Sequence, residues 1–489
     1  MEAHTSGAQQ LERRAVGLPT AISTVFGLIV ASTVLLSVGQ GYAASWIFLI
    51  AMALALLTMY MQALSFSELA TLIPKAGSMN EYVRAGLGPF FGSLTALMGY
   101  IAIVIFPGAA EAALPSIVLS DFLGLGGSTT FWVAVIVVIV AAINIAGVRQ
   151  FAAVEITLTG LIAISLAILG IIGILGIGAN DPIGPLLPSV DFEWSILSGL
   201  LGLAVFAFVG LEYTCPLAEE LEEPKRQLPL GMFLGLALIA VPLTLYGFAA
   251  TRYVPADVLG DPANLAYMEI AIAILGDFGK WWIGLISVAA TISTLNAVVA
   301  GVPRLLYGMA HTQQAPRVFG HLLPSTRTPA FGIIVVSLPP LIMNALGWAS
   351  SETFIELILA GVLGWATAYI LIHITLIVLR IREPNAVRPF KAPLVPLPQL
   401  IGTALLIWAA VKIFPDPEIR DHIYRDYLIF LGISVAVAFL FNLSTMRSVR
   451  DQFRPVPLRE VYAEVEFIEE LEEGPGGPGR PGPEPLAKL

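Results

Sequence analysis

From residue 18 to residue 441 this chain is built of apolar stretches about 20 residues long, separated by short polar links. A helix rises about 1.5 Å per residue, so some 20 apolar residues cross a hydrocarbon layer roughly 30 Å thick. Inside that layer only helices and closed barrels satisfy their own backbone groups, and runs this long are helical. Twelve spans are predicted: Leu18–Val38, Ser45–Leu64, Phe91–Leu114, Phe131–Val148, Val154–Ile177, Trp194–Ala218, Leu230–Thr251, Trp281–Met309, Phe331–Leu346, Phe354–Leu379, Leu400–Phe414 and Tyr427–Phe441. They are numbered spans 1 to 12 throughout. Only 12% of the residues are charged, against about 25% in soluble domains. The chain therefore reads as an all-α polytopic membrane protein, with the lipid bilayer as its first partner. Its net charge of −10 does not point to nucleic acid, because the acids sit mostly in loops and the C-terminal tail.

Lys and Arg concentrate on the cytoplasmic side of membrane proteins. With the N-terminus placed there, only Arg252, Lys280, Lys412, Arg420 and Arg425 of the 25 Lys and Arg fall on the outer side. Both termini are then cytoplasmic, as in a multi-pass protein of the plasma membrane. Met1–Val16 is polar and shows no cleavable leader, so span 1 is expected to be retained. The links Tyr253–Lys280 and Thr312–Thr328 are long enough to hold short helices. Beyond Ser444 the acidic run Glu464–Glu473 and the Gly/Pro-rich end predict a disordered tail.

Two spans break their own rules. In span 6, Gly210 weakens the helix, and Pro216 has no N–H to give the carbonyl of Glu212 four residues back. A kink, a freed carbonyl and a carboxylate at one depth mark a site that faces protein or a wet cavity. Span 1 has Gly27 near its middle and Ser32-Thr33 ready to compete for backbone bonds. The breaks are five spans apart, an odd number, so the two halves have opposite orientation. Interrupted spans at matching positions of inverted halves are the sequence mark of a transporter site. The organisation expected is a cytoplasmic segment 1–17, a first five-helix repeat 18–180, a second inverted repeat 190–382, spans 11 and 12 within 396–444, and a tail 445–489.

No Lys or Arg lies near the middle of a span, whereas acids lie within spans: Glu111 in span 3, Glu155 near the inner end of span 5, and Glu212 in span 6. Such an interior suits a cation or a proton and disfavours an anion without its own positive charge. Glu212 is the candidate for proton coupling, or else a structural acid. Glu111, after Pro107-Gly108, is placed toward an outer vestibule as a contact for an amine. Glu155 is expected to pair with Arg149 or reach the interface. Glu68 and the acids of 219–223 are expected to hold loops beside Lys75, Lys225 and Arg226. Arg304 is the candidate inner gate, paired with one of these acids.

Four blocks carry a resemblance: GLIVAST in span 1, FSELATLIPKAGSMNEYVRAGLGPFFG between spans 2 and 3, FAFVGLEYTCPLAEELEEPKRQLP in span 6 and its exit, and STLNAVVAGVPRLLYGMAHTQQAPRVF in span 8. In this order and on these spans they resemble the amino acid–polyamine–organocation permeases. The segment from Met59-Tyr60 to FSEL and Pro107 are similar to the ethanolamine-type members. The resemblance implies a LeuT-like 5+5 inverted repeat with broken spans 1 and 6, two added C-terminal helices, and alternating access. It implies a small-molecule amino acid or amine as cargo, held by Gly27, Leu28, Ile29, Ala31, Ser32 and Thr33 of span 1, Tyr100 and Ile103 of span 3, Phe206, Phe208 and Gly210 of span 6, and Asn296 of span 8. Phe206 takes the position of an aromatic lid. The family's Gly-Ser-Gly is Ala31-Ser32-Thr33 here, and losing two glycines makes close backbone approach harder.

The energy source expected is a proton gradient, with no cofactor. Exchange of cargo for cargo, and sodium coupling through Ser293-Thr294, are the alternatives. A homo-oligomer is compatible with all of them. No phosphate-cradling Gly-x-x-x-x-Gly-Lys motif is present, so ATP is not expected to drive the process. The histidines show no metal-ligand spacing. A membrane-embedded enzyme would need a nucleophile–base pair within the spans, and none is apparent.

Overall fold

Every regular element of the computed structural model, which describes residues 10–261, 264–350, 353–446 and 448–462, is a helix. Eight helices are long and apolar enough to cross a membrane: Trp46–Leu72, Pro89–Phe122, Val148–Leu175, Trp194–Leu217, Pro224–Tyr253, Asp277–His311, Phe354–Arg382 and Pro417–Thr445. They are spans 2, 3, 5, 6, 7, 8, 10 and 12. Span 1 is the pair Leu18–Ile29 and Ser32–Ala44, bent by 55°. Thr129–Ile145, Ala330–Ala345 and Leu397–Val411 are shorter. They run alongside full-length neighbours, spans 4 and 9 against span 8, span 11 against spans 2 and 10. They complete twelve spans in a LeuT-like fold, two inverted repeats of five and two added helices. The link after span 7 holds the expected short helices, Ala256–Gly260 and Ala266–Leu275.

The enclosed spans are 1, 3, 6, 8 and 10, while span 12 turns Leu428, Ile429, Ile433 and Leu440 outward. A row of exposed branched aliphatics suits lipid, which needs no polar partner. Both described chain ends meet at one face. Ala15 N–H donates to the Glu220 carbonyl at 2.8 Å, and Tyr462 Oη donates to the Leu72 carbonyl at 2.9 Å. This face is called the terminal face below. The predicted disorder of 445–489 is corrected for its first part. Val449–Phe453 is a short 3₁₀-helix, the Phe453 ring lies 5.1 Å from Phe90, and Leu458 and Val461 are buried. The acidic and Gly/Pro-rich remainder lies outside the described residues.

Both breaks fall elsewhere than expected. Gly27 stays inside the first half-helix of span 1, and the chain opens at Val30-Ala31, where Ala31 is extended (φ −69°, ψ 154°). The reason is tertiary. The N–H groups of Ser32 and Thr33, which would otherwise bond the carbonyls of Leu28 and Ile29, are taken by the Glu111 carboxylate of span 3. In span 6 the α-helix ends at Phe206, well before Pro216. The chain unwinds to Gly210, and Leu211–Leu217 forms a 3₁₀-helix. Gly210 sits at φ 130°, a conformation that side chains resist. A Cβ there would meet Leu28 Cδ2 at 2.3 Å, so the same glycine lets the two broken spans touch.

Gly210→Ala is expected to destabilise the purified protein by at least ~1–3 kcal/mol, from backbone strain alone. Leu28→Ala in the same chain should relieve the steric part and leave the strain, so the double variant should melt between wild type and Gly210→Ala. Full recovery in thermal melts would show that the left-handed conformation carries no cost.

Candidate functional site at the two broken spans

Three buried carboxylates gather where spans 1 and 6 are broken. Glu111 caps the second half of span 1. One oxygen accepts the Ser32 N–H at 2.9 Å and the Thr291 hydroxyl at 2.5 Å. The other accepts the Thr33 N–H at 2.9 Å and the Thr33 hydroxyl at 2.8 Å. The half-helix Ser32–Gly41 presents the positive end of its dipole to this carboxylate. Ser32 Oγ donates to the Ser287 carbonyl at 2.8 Å, which ties the break to span 8. Glu111 thus lies at the break, not in an outer vestibule.

Glu155 sits on the other side of the same break. It accepts from Ser293 Oγ at 2.7 Å and from Asn296 Nδ2 at 2.7 Å. The expected pairing with Arg149 is corrected: Glu155 is fully buried, and Arg149 pairs with Glu12 at 2.8 Å instead. Gly27 leaves the room, since a Cβ there would stand 1.8 Å from Glu155 Oε1. Asn296 also accepts from Asn144 Nδ2 of span 4 at 2.8 Å, so it belongs to this network and not to a cavity wall. Thr294 Oγ1 donates to the Gly27 carbonyl at 3.0 Å.

Glu212 is held from span 10. Trp365 Nε1 donates to one oxygen at 2.6 Å and Tyr369 Oη to the other at 2.5 Å. The Glu212 carbonyl, which Pro216 leaves without an α-helical donor, accepts the Tyr100 hydroxyl at 3.1 Å. Tyr100 also bonds Ser78 at 3.1 Å and packs its ring 4.7 Å from that of Tyr213. All the hydrogen-bond partners of the three acids are neutral groups.

Between the breaks lies a cavity of about 30 Å³. Leu28, Ala31, Thr33, Ile103, Phe206 and Glu111 line it together with Thr294, Val298 and Trp365. The Phe206 and Trp365 rings stand 6.3 Å apart across its wall. Ile29 and Phe208 are buried beside the breaks without lining this space. A much larger cavity, about 620 Å³, opens at the terminal face among Arg13, Lys75, Glu219, Lys225 and Tyr307. The buried acids gather at the small cavity, and the two cavities share no lining residue.

Arg304 stands between the two. Along span 8 it comes six residues after Val298 of the central cavity and three before Tyr307 of the large one, about 9 Å and 4–5 Å along the axis. It is fully buried and grips both oxygens of Glu220, one of them at 3.1 Å, while Nη1 donates to the Ala300 carbonyl at 2.7 Å. Glu68, expected beside Lys75, instead pairs with Arg380 at 2.5 Å and Arg388 at 2.8 Å. Glu219 does hold the loop at Lys75, accepting the Ala76 N–H at 2.8 Å. Among the described residues no group of three or more His, Cys, Asp or Glu gathers as metal ligands would.

Sequence reasoning missed Ser287, Thr291, Trp365 and Tyr369. The signal was there. Each pair is four residues apart in an apolar helix, so each presents one polar stripe to a neighbouring span. What the spacing does not say is which acid the stripe faces.

Residues 16–443 match the family model described as amino acid permease. The serine/threonine exchanger SteT of Bacillus subtilis (strain 168) is 24% identical over 80% of this chain and 89% of its own. The methylthioribose transporter of the same organism is 24% identical over 87% and 91%, and human cationic amino acid transporter 4 is 26% identical over 81% and 65%. Among solved structures, Mhp1, a nucleobase-cation-symport-1 family transporter in a closed conformation, covers 94% of this chain and 99% of its own with a TM-score of 0.55 and 15% identity.

Breaking a buried ion pair from one side costs ~3–5 kcal/mol, because the remaining charge is uncompensated. Arg304→Met is expected to cost about that much at neutral pH. Burial pushes the Glu220 carboxyl up and Arg304 pulls it back. Without Arg304 only the upward push remains. A carboxyl whose folded pKa exceeds its unfolded one adds stability at low pH that is lost as pH rises through the folded value. The deficit should therefore shrink on acidification toward the ordinary Glu value, about pH 4.3. Melts of both proteins from pH 7.5 downward check this. A pH-independent deficit would mean that Glu220 is not the group left behind.

Proposed function

Because the chain belongs to the amino acid permease family, within the amino acid–polyamine–organocation superfamily, we propose that it moves amino acids or related organic amines across the plasma membrane by proton-coupled alternating access. Family and fold are those of multi-pass transporters. The observation that supports this finer reading is the set of three buried carboxylates at the breaks, held by neutral donors alone. A buried acid without a counter-charge is costly at membrane depth and is the group that takes up a cation or a proton. In this reading Glu212 carries the coupling proton, since it joins the break of span 6 to span 10 through Trp365 and Tyr369. Protonation weakens one of those bonds and lets the two spans part.

Arg304 and Glu220 form the gate between the central cavity and the terminal face. The Lys and Arg distribution supports a cytoplasmic terminal face. Phe206 closes over cargo from span 6. The relatives' own names support small organic cargo, two of them amino acids.

The test is uptake into proteoliposomes of labelled alanine, serine, arginine and ethanolamine, with and without an inward proton gradient. Accumulation of at least one of them that requires the gradient, and that Glu212→Gln reduces to equilibration, is the expected result. Uptake only against preloaded unlabelled cargo, unchanged by pH and by Glu212→Gln, would replace symport with exchange.

A further inference from the structure

The backbone donors at the break of span 1 are already spent. The N–H groups of Ser32 and Thr33 and the hydroxyl of Thr33 all donate to Glu111, and they use both of its oxygens. These are the donors, at the positive end of the half-helix, that a carboxylate entering the central cavity would need. Glu111 also lines that cavity itself, and is the one charged residue among those that do. The remaining wall is largely apolar, from Leu28, Ile103, Phe206, Val298 and Trp365.

We propose that Glu111 is a built-in carboxylate that closes this site to α-amino acids, and that the cargo is a monovalent organic ammonium without a carboxylate. The inference rests on the transporter reading and narrows its substrate class. An α-amino acid in this cavity would bring its carboxylate against that of Glu111, with the helix donors already engaged. Like charges in a medium of low dielectric repel strongly, and an anion without donors loses its hydration uncompensated. An ammonium meets the opposite situation. Glu111 gives it one negative partner, and the helix dipole that steadies Glu111 holds the carboxylate in place. A diamine gains nothing further, because Glu212 does not line this cavity and offers the second ammonium no partner there. The apolar wall takes the uncharged body of the cargo.

The test uses the full chain in proteoliposomes and pairs of compounds that differ only in the α-carboxylate: isobutylamine against valine, and ethanolamine against serine, with cadaverine as the diamine. Counterflow and competition are read for each. One amine of the pairs should exchange, with its amino acid weaker by about thirtyfold or more in apparent affinity, the fold-change of a desolvated charge pair lost or opposed. Cadaverine should not surpass the monoamine. Valine or serine competing as well as its amine overturns the inference and leaves the transporter reading intact. Counterflow with neither class across the panel overturns both. Glu111→Ala frees the Ser32 and Thr33 donors and removes the charge, so it should lose the amine and narrow or invert the preference. A Glu111→Ala protein that keeps the wild-type preference overturns the inference. If this variant does not yield folded protein, the wild-type pairs decide alone.

Discussion

The structure depends on one carboxylate taking the place of two helical hydrogen bonds. Glu111 accepts the N–H groups of Ser32 and Thr33, and span 1 opens at that point. Without a partner from span 3, those donors would return to the carbonyls one turn back, and the helix would run straight. The bend of 55° is therefore imposed from outside the span. Once it exists, the rest follows. The second half-helix points its positive end at the middle of the protein, Thr291 and Ser287 of span 8 close around it, and the first half-helix offers its Gly27 carbonyl to Thr294.

Span 6 solves the same problem differently. Its break is local, at a glycine with φ 130°, and a proline beyond it withholds the N–H that the Glu212 carbonyl would take. The freed carbonyl of Glu212 goes to Tyr100 and the side chain to Trp365 and Tyr369. One break is thus held by a neighbour's acid, and the other supplies an acid to its neighbours. A buried carboxylate leaves several kcal/mol of hydration behind, on the order of the stability of a whole domain, so each must be met by donors in place. Such donors sit on spans 8 and 10 as well as on broken span 1. Motion of any of these spans changes how well an acid is satisfied. Arg304 and Glu220 add a cross-link between span 8 and the exit of span 6.

Much of this was legible. Span number and approximate ends follow from the length of apolar runs, because the bilayer imposes one length on all of them. Glu212 and Pro216 stood out together, since a withheld donor and an acid four residues apart in an apolar run both demand partners from another span. The position of each break was not legible in the same way. Gly27 looked like the weak point of span 1 because glycine lowers helix propensity, yet its use is to admit Glu155 at close range. Pro216 looked like the kink of span 6, yet the chain had already unwound by Gly210. Glu155 looked peripheral because Arg149 was its nearest opposite charge in sequence, and only the packing of spans 4, 5 and 8 brings Asn296 and Ser293 to it.

By itself the sequence determined the medium, the number of crossings and the presence of acids at membrane depth. These depend on composition and periodicity, which any stretch of chain carries locally. The tertiary structure alone decided what each acid faces. A carboxylate acts through donors within about 3 Å, and at Glu111 those donors come from residues 78 and 79 positions back and 180 positions ahead. No local pattern encodes a meeting across such distances. It arises when the spans settle into the arrangement in which Glu111, Glu155 and Glu212 each find their donors.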